Sequence, residues 1–224
     1  MNTINDLVRN YIQSISSNFA YEQTSEMGYR TAFETLIRGI FESINVKRIG
    51  HDDKAQQGNK PDFVVMKNDV PILYIEAKDI GVSLDKIEKS EQMTRYYGYT
   101  NLVLTDYVEF RFYRNGEHYG DPIVIALYDK QKREIQPNIE SFETLGRTLL
   151  DFAQSHKEPI RSGSHLAKIM GGKAQRIRDN VYYHLEESLK KDPDLIKLYE
   201  AIKSMLVHDL TFHTFSDLYA QTMV

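Results

Sequence analysis

The chain has 224 residues, of which 41% are hydrophobic and 27% charged, and its formal net charge is -4. That length and apolar content can build a sizeable core, and the absence of cysteine excludes disulfide scaffolds, thiolate nucleophiles and cysteine-based zinc sites. The acidic total argues against a dedicated non-specific nucleic-acid binder but not against an enzyme that touches DNA locally. Because no apolar run approaches the ~20 residues of a membrane span and no signal-peptide pattern is present, we expect a cytoplasmic protein with no membrane partner.

The first part of the chain predicts an α/β unit. Apolar residues recur at helical spacing over residues 4–19 and 29–44, which predicts two amphipathic helices. Further along, the pattern changes to that of strands, and Asn115-Gly116 is typical of a hairpin turn. Strands are predicted at residues 46–49, 62–66, 71–78, 102–105, 107–114 and 123–128, a polar loop at 51–60, and a helix at 84–97 that Ser83 could cap. Alternation over 107–114 predicts Val108, Phe110 and Phe112 on one face and Tyr107, Glu109, Arg111 and Tyr113 on the other.

The remainder of the chain predicts helices only. The strand pattern stops after Pro137, and helices are predicted at 139–154, 164–189 and 194–207, with a final stretch at 215–224. The middle helix is expected to break at Gly171-Gly172, and Asp192-Pro193 is a suitable cap for the next helix. We therefore expect residues 1–135 to form an α/β domain and residues 136–224 to form a helical connector that leads into a further domain.

The stretch that carries chemistry begins at Pro61-Asp62 and ends, after a gap of thirteen residues, at Glu76-Ala77-Lys78. Strand alternation places Glu76 and Lys78 on one face. If a three-residue loop joins the two strands, Asp62 lies opposite Glu76. A two-residue loop instead moves Asp62 by one place, next to Glu76 but on the other face.

Two carboxylates on neighbouring strands, roughly 5 Å apart, repel each other. A divalent cation relieves this repulsion, and two carboxylates with a backbone carbonyl and water form the oxygen environment that suits Mg²⁺. An amine two residues further on can orient a water or steady charge on a phosphate. The alternative is an exposed hairpin with salt-bridged polar residues.

These residues resemble the PD-(D/E)xK nuclease superfamily, in which Asp62 matches the first acid, Glu76 the second and Lys78 the lysine. The resemblance implies a restriction-endonuclease-like fold, a mixed sheet flanked by helices. It also implies phosphodiester hydrolysis that depends on Mg²⁺, with Mn²⁺ as a substitute. Asp62, Glu76 and the Ala77 carbonyl would bind the metal, and Lys78 would activate the attacking water or stabilise the transition state.

Two further matches extend the resemblance. Gln92-Met-Thr-Arg-Tyr96 is similar to the Q-x-x-x-Y motif of type I restriction subunits and RecB-like nucleases, where this helix face lies near the substrate backbone. A solvent-facing glutamine and a packing tyrosine are the alternative. Many family members carry a metal-facing acid on the helix before the sheet, and Glu34 is the candidate here, although an ordinary surface glutamate is an equal interpretation.

The order of these motifs is most similar to the N-terminal nuclease of fused restriction-modification proteins. The implied partners are DNA, a downstream adenine methyltransferase or motor domain of the same protein, and a second copy in a transient dimer for double-strand cleavage. The resulting hypothesis is a DNA endonuclease module. The alternatives are an end-dependent repair-type nuclease and a non-catalytic nucleic-acid or protein interaction module on the same fold.

Residues outside the main motif are weaker candidates. Residues 160–178 carry five basic side chains and no acid, and these could contact DNA phosphates or form a solvated or docking face of the connector. They are Arg161, Lys168, Lys173, Arg176 and Arg178. Tyr96, Tyr97 and Tyr99 could stack on a base, and His51 is placed either at the edge of the site or on a loop surface.

Overall fold

A mixed β-sheet is the centre of the fold in the computed structural model, which describes residues 3–21, 26–46, 48–51, 61–68, 70–154, 162–187, 192–205 and 208–224. Seven strands form this sheet, and two more form a separate hairpin. The strands are β1 (Arg48–His51), β2 (Phe63–Lys67), β3 (Val70–Ala77), β4 (Asn101–Thr105), β5 (Glu109–Arg114), β6 (Glu117–His118), β7 (Ile123–Val124), β8 (Ala126–Asp129) and β9 (Glu134–Pro137).

Helices precede the sheet, interrupt it once and follow it. They are α1 (Ile4–Phe19), α2 (Glu26–Phe41), α3 (Leu84–Glu88), α4 (Glu91–Tyr96), α5 (Phe142–Gln154), α6 (Gly163–Tyr182), α7 (Pro193–Met205) and α8 (Phe212–Met223). Short 3₁₀ turns extend α2 over Glu42–Ile44 and precede α5 over Ile139–Ser141, and a π-helical turn continues α6 over Tyr183–Glu187. Among the described helices, none is both long and apolar enough to cross a lipid bilayer.

The sheet runs in the order β1-β2-β3-β4-β5, and β6 and β7 both pair with β5. Every pairing is antiparallel except that of β3 with β4. Helices α3 and α4 form the crossover between these two parallel strands. The carboxyl ends of β3 and β4 therefore lie side by side at one edge of the sheet, which is where open α/β sheets place their ligands.

The two faces of the sheet are covered by different helices. Helices α1, α2 and α5 pack on one face in the main hydrophobic cluster, whose largest members include Phe33, Phe63 and Phe110. Helices α3 and α4 cover the other face in a smaller cluster that contains Met93 and Tyr96. Strand β4 is buried on both faces, because Val103 joins the main cluster while its neighbours Leu102 and Leu104 join the smaller one.

The C-terminal helices have a hydrophobic cluster of their own and dock on α4. Val181, Leu185 and Phe215 belong to this third cluster, which α6, α7 and α8 share. Helix α6 approaches the end of α4 so closely that a Cβ atom at Gly98 would lie 2.5 Å from the carbonyl oxygen of Gly172. Only glycines allow two backbones to approach this closely.

Most predicted elements are confirmed, including both N-terminal helices and the change to helices after Pro137. The hairpin turn is confirmed by positive φ angles at Asn115 (51°) and Gly116 (77°), as a type I′ turn requires. The cap before α7 is also confirmed, because the Asp192 carboxylate accepts hydrogen bonds from the backbone of Asp194 at 2.9 Å and Leu195 at 3.2 Å.

Three predicted elements are wrong in detail. The helix at 84–97 is two helices, because Ser90 caps α4 by accepting from the Met93 N–H at 3.2 Å, and Ser83 makes no side-chain cap bond. The helix α6 runs through Gly171-Gly172 without a break. The strand at 123–128 is divided between β7 and β8, and β8 pairs with the unpredicted strand β9.

Tyr107 lies on the opposite face from the one predicted. Its φ is 72°, because Asp106 accepts hydrogen bonds from the N–H groups of Val108 and Glu109 and so reverses the chain before β5 begins. The Tyr107 ring is fully buried in the main core, 5.5 Å from the ring of Phe33. Strand alternation could not predict this, because the residue precedes the strand.

Candidate active site

The register of β2 and β3 places Asp62 opposite Glu76. Phe63 pairs with Ile75 and Val65 with Leu73, so extending the ladder by one pair brings Asp62 to Glu76. Nearer the tip, Lys67 pairs with Val70 across a two-residue connection, and an irregularity at Val65/Met66 shifts the register by one. Of the two alternatives, the two-residue loop is therefore the one observed, but the bulge restores the pairing of Asp62 with Glu76 that the three-residue loop would have given.

Two elements hold the Asp62 carboxylate. Its Oδ2 atom accepts a hydrogen bond from the backbone N–H of Ala77 at 2.8 Å, and its Oδ1 atom lies 2.5 Å from Nη2 of Arg30 on α2. The first contact fixes Asp62 against the Glu76-Ala77 segment. The second shows that the first turns of α2 reach the same edge of the sheet.

Glu76 and Lys78 form a chain of polar contacts that ends on α4. Glu76 is only 2% exposed, and its Oε1 atom lies 2.5 Å from Nζ of Lys78. The Lys78 ammonium also donates to Oε1 of Gln92 at 3.4 Å, and the Gln92 amide donates to the Tyr96 hydroxyl at 3.1 Å. These contacts confirm that Glu76 and Lys78 share one face of their strand, as predicted. They also confirm that Gln92 and Tyr96 share one face of their helix.

The Tyr96 hydroxyl lies in a buried and negatively charged environment. Burial is the largest cause that raises its pKa far above the usual value, and the negative charges of Glu76 and Asp62 raise it further, against the hydrogen bond from Gln92. The hydroxyl therefore stays protonated and serves as a hydrogen-bond partner of Gln92.

Asp62 and Glu76 are oxygen donors of the type that a hard divalent cation takes, and a metal site here stays a prediction. Asp62 and Glu76 supply carboxylate oxygens from adjoining strand ends, and the hydrogen bond from Ala77 to Asp62 fixes the backbone segment whose carbonyl is the third predicted ligand. In the described parts of the chain, no group of three or more His, Asp or Glu side chains could hold a metal ion. Glu34 forms an ion pair with Arg38 at 2.5 Å on its own helix, and its metal role stays a prediction.

Arg30 is the site residue that sequence reasoning missed. It lies one helical turn before Glu34, so the helix face that the resemblance assigned to an acid also carries this arginine. The four-residue spacing between Arg30 and Glu34 could have suggested Arg30 as a site residue. Its ion pair with Asp62 could not be predicted, however, because that contact depends on how α2 sits against the end of β2.

The basic residues of α6 are placed differently. The Arg176 guanidinium stacks on the Tyr99 ring, 3.9 Å from its centroid, and donates to the Gly98 carbonyl at 3.1 Å. Arg178 pairs with Asp179 at 2.8 Å, and Lys173 is exposed. Arg161 and the side chain of Lys168 lie outside the described residues, so contacts of all five basic residues with DNA stay predictions.

The remaining tyrosines lie beside the site and are engaged by other groups. The Tyr97 hydroxyl donates to the Glu88 carbonyl at 3.1 Å. Tyr99 is 6% exposed and stacks on Tyr74, with ring centroids 3.9 Å apart, while Arg176 packs against the same ring, so a base could not stack there without displacing a neighbour. His51 is the last residue of β1, and its side chain and the rest of the predicted loop lie outside the described residues.

Comparison with known proteins supports the fold. No family model matches the sequence, and no curated protein matches it. Among solved structures, the chain is similar to the cryo-EM structure of the DrdV–DNA complex, with a TM-score of 0.51 and 16% identity. The match covers 98% of this chain and 21% of that chain, so the protein spans about a fifth of the length of its structural neighbour.

The predicted fold class is confirmed. The chain has a mixed sheet flanked by helices and followed by a helical C-terminal region, consistent with a restriction-endonuclease-like fold. At 16% identity the likeness concerns the fold alone. The division into domains at residue 135 stays a prediction.

Proposed function

We propose that this chain is a DNA endonuclease module that hydrolyses phosphodiester bonds with Mg²⁺ bound by Asp62, Glu76 and the Ala77 carbonyl. The observation that carries the proposal is the seating of the Asp62 carboxylate on the Ala77 N–H at 2.8 Å, beside the buried Glu76. The structural neighbour is a DNA complex, which makes DNA the first substrate to test.

The residues have distinct roles in this proposal. When bound, Mg²⁺ would supply charge neutralisation at the phosphate and activation of the attacking water. Lys78 is held by Glu76 and Gln92, so its ammonium is already oriented toward the place where negative charge develops. Tyr96 is a positioning residue, because its neutral hydroxyl accepts from the Gln92 amide and fixes that side chain.

The test is nicking of a supercoiled plasmid with Mg²⁺, Mn²⁺ or EDTA. We expect Asp62→Asn and Glu76→Gln to reduce the rate by about 100-fold or more, the usual loss when a charge-stabilising group is removed. Asp121→Asn is the matched control, since Asp121 is an exposed carboxylate in the irregular segment before β7, far along the chain from the site. Cleavage that survives both site substitutions would rule out this assignment.

A metal titration gives the proposal a second readout that does not depend on finding a cleavable substrate. Calorimetry with Mn²⁺ should show binding to the wild-type chain and a loss of about tenfold or more in affinity for Asp62→Asn, because one of two carboxylate ligands is removed. Wild-type affinity in Asp62→Asn would contradict the proposed ligand set even if cleavage were detected.

The second candidate function is an end-dependent nuclease of the repair type. The contact of Gln92 with the proposed catalytic lysine at 3.4 Å supports it, since the Q-x-x-x-Y motif is similar to that of RecB-like enzymes. Circular and linear duplexes of the same sequence separate the two functions. An endonuclease cuts both, whereas an end-dependent enzyme cuts only the linear duplex.

The third candidate is a non-catalytic interaction module. It is favoured by the cations already beside the carboxylates, with Arg30 on Asp62 and Lys78 on Glu76. In such a module these ion pairs would be purely structural, so neither free nor DNA-bound protein would bind Mn²⁺ at millimolar concentration. Metal binding by the DNA-bound protein would exclude this candidate.

A further inference from the structure

Arg95 and Asp179 face each other across the contact between α4 and α6 without forming a hydrogen bond. Nε of Arg95 lies 3.8 Å from Oδ2 of Asp179. This distance exceeds the ~3.2 Å at which an N–H group donates to an oxygen. Within the described parts of the chain, neither atom has a hydrogen-bond partner, although both are buried. Buried polar atoms of native proteins are nearly always hydrogen-bonded, so a partner for this pair is expected between the helices.

Other atoms of both side chains do have partners, which fixes their orientation. Nη1 of Arg95 donates to Glu91 at 3.2 Å, one turn earlier on α4. Oδ1 of Asp179 accepts from Nε of Arg178 at 2.9 Å and from its Nη2 at 2.8 Å. Because these contacts hold the two side chains from outside, Nε of Arg95 and Oδ2 of Asp179 are the atoms that remain buried between the helices.

The helix backbones prevent the two side chains from closing this gap. Gly98 follows Arg95 by three residues, and a Cβ atom there would lie 2.5 Å from the carbonyl oxygen of Gly172. In the same contact, the Arg176 guanidinium packs 3.9 Å from the centroid of the Tyr99 ring and donates to the Gly98 carbonyl at 3.1 Å. The spacing of α4 and α6 is therefore set beside the pair by contacts that allow no closer approach.

A small cavity lies at the pair. Its volume is about 20 Å³, and it is lined by Arg95, Tyr96, Tyr99, Arg176, Asp179 and Asn180. On the same measure, one water molecule needs ~10 to 15 Å³, together with roughly two to four polar partners. Arg95 supplies a donor, Asp179 an acceptor, and the Asn180 amide carries both kinds of group. The space and the polar groups therefore match a single water molecule.

We propose that this cavity is a binding site for one structural water, which accepts from Nε of Arg95 and donates to Oδ2 of Asp179. The charges at the cavity favour water over an ion. The carboxylate repels an anion, and the guanidinium groups of Arg95 and Arg176 repel a metal cation. Water is neutral and both donates and accepts, so it satisfies both atoms. The site joins the C-terminal helices to α4 and does not depend on the proposed cleavage of DNA.

A high-resolution crystal structure of the full chain, grown with bromide in place of chloride, tests the occupant directly. We expect one density peak about 2.7 to 3.2 Å from both Nε of Arg95 and Oδ2 of Asp179, without anomalous scattering. An anomalous peak at this position would identify an anion and overturn the proposal. So would a direct hydrogen bond between the two side chains, or a cavity without density.

Two matched substitutions test the partners of the water. Asp179→Leu removes the acceptor, so we expect the density peak to be lost. Asp217→Leu is the control, because Asp217 also pairs with Arg178, at 3.8 Å, but is not among the residues that line the cavity. Its peak should remain. A peak that persists in Asp179→Leu, or one that is lost in Asp217→Leu, would contradict the assigned partners.

NMR spectroscopy of the isotope-labelled wild-type chain gives a second readout that needs no variant. Cross-relaxation between water and the Nε–H group of Arg95 should have the sign of a bound water rather than of a freely diffusing one. The Nε–H group of Arg147 is the control, because this side chain is 72% exposed and donates directly to Glu143 at 2.8 Å. Signals of the same sign and size from both arginines would overturn the proposal.

Discussion

Charged side chains contact helix α4 and the residues that follow it from two sides, and the two sets of contacts have different roles. From the sheet, Lys78 reaches Gln92 and carries with it the buried Glu76. From α6, Arg176 covers the ring of Tyr99 and binds a backbone carbonyl. The second set is explained by docking one helix on another. The first set also joins elements, since Asp62 contacts Ala77 and Arg30, but it gathers its charges at the sheet edge where open α/β sheets place ligands, which supports the proposed site.

Removing one cation from each of these two sets tests the comparison most directly. Lys78→Met should reduce the rate of plasmid nicking by about 100-fold if Lys78 stabilises the charge on the phosphate, as the proposed function requires. Lys173→Met on α6 removes an exposed cation and should change the rate by less than about threefold, as expected for one peripheral phosphate contact. Equal losses in both variants would mean that the α6 face is part of the site.

The two adjacent glycines of α6 separate docking from helix propensity. A Cβ atom at Gly172 would lie 2.9 Å from the Cα atom of Gly98, whereas one at Gly171 meets nothing within 4 Å. Gly172→Ala should therefore lower the free energy of unfolding by about 1 to 3 kcal/mol through overpacking against backbone. Gly171→Ala should raise it by about 0.5 to 1 kcal/mol through better helix propensity.

Denaturant unfolding measures both glycine variants. A stabilising effect of Gly172→Ala would show that α6 does not pack on the end of α4 in solution. The site variants of β3 provide the contrast, because their main effect is expected on cleavage rather than on unfolding.

The sequence pattern predicted those parts of the fold that depend on interactions between neighbouring residues. Helical periodicity, the Asn115-Gly116 turn and the Asp192 cap each depend on a few neighbouring residues, and each is confirmed. The motif from Asp62 to Lys78 was also readable, since strand alternation and a hairpin register relate its members. The observed register nevertheless depends on a bulge that no residue pattern predicted.

Two of the errors come from contacts between elements that are distant in the sequence. Gly171-Gly172 looked like a helix break because glycine disfavours helices, yet Gly172 is needed where another backbone approaches. Arg30 escaped notice because only the position of α2 brings it to Asp62. The other errors are local, since the Ser90 cap divides the helix at 84–97 and the Asp106 turn reverses the chain at Tyr107.

Arg176 and Arg178 allow a comparison within α6 between a buried packing contact and a surface ion pair. Arg176→Gln removes both the stacking on Tyr99 and the hydrogen bond to Gly98, and should lower the free energy of unfolding by about 1 to 2 kcal/mol. Arg178→Gln, whose partners are Asp179 and Asp217 on a partly exposed surface, should change it by less than about 1 kcal/mol. Thermal unfolding measures both variants. The reverse order, with Arg178 the more important, would mean that surface charge rather than ring stacking holds α6 in place.

The smallest expected effect concerns Arg30, which places a cation where the proposed metal must bind. Its Nη2 atom lies 2.5 Å from Oδ1 of Asp62, so a divalent ion has to share or displace that contact and also meets the repulsion of the guanidinium. Arg30→Gln should therefore tighten Mn²⁺ binding about 3- to 10-fold in a calorimetric titration, corresponding to roughly 1 kcal/mol. Arg147→Gln is the control, because Arg147 pairs with Glu143 at 2.8 Å on α5 and not with a proposed metal ligand. If Arg30→Gln weakened Mn²⁺ binding while Arg147→Gln did not, Arg30 would be a support that orients Asp62 for the metal rather than a competitor of it. The charges at the sheet edge would then form one assembly instead of two opposed sets.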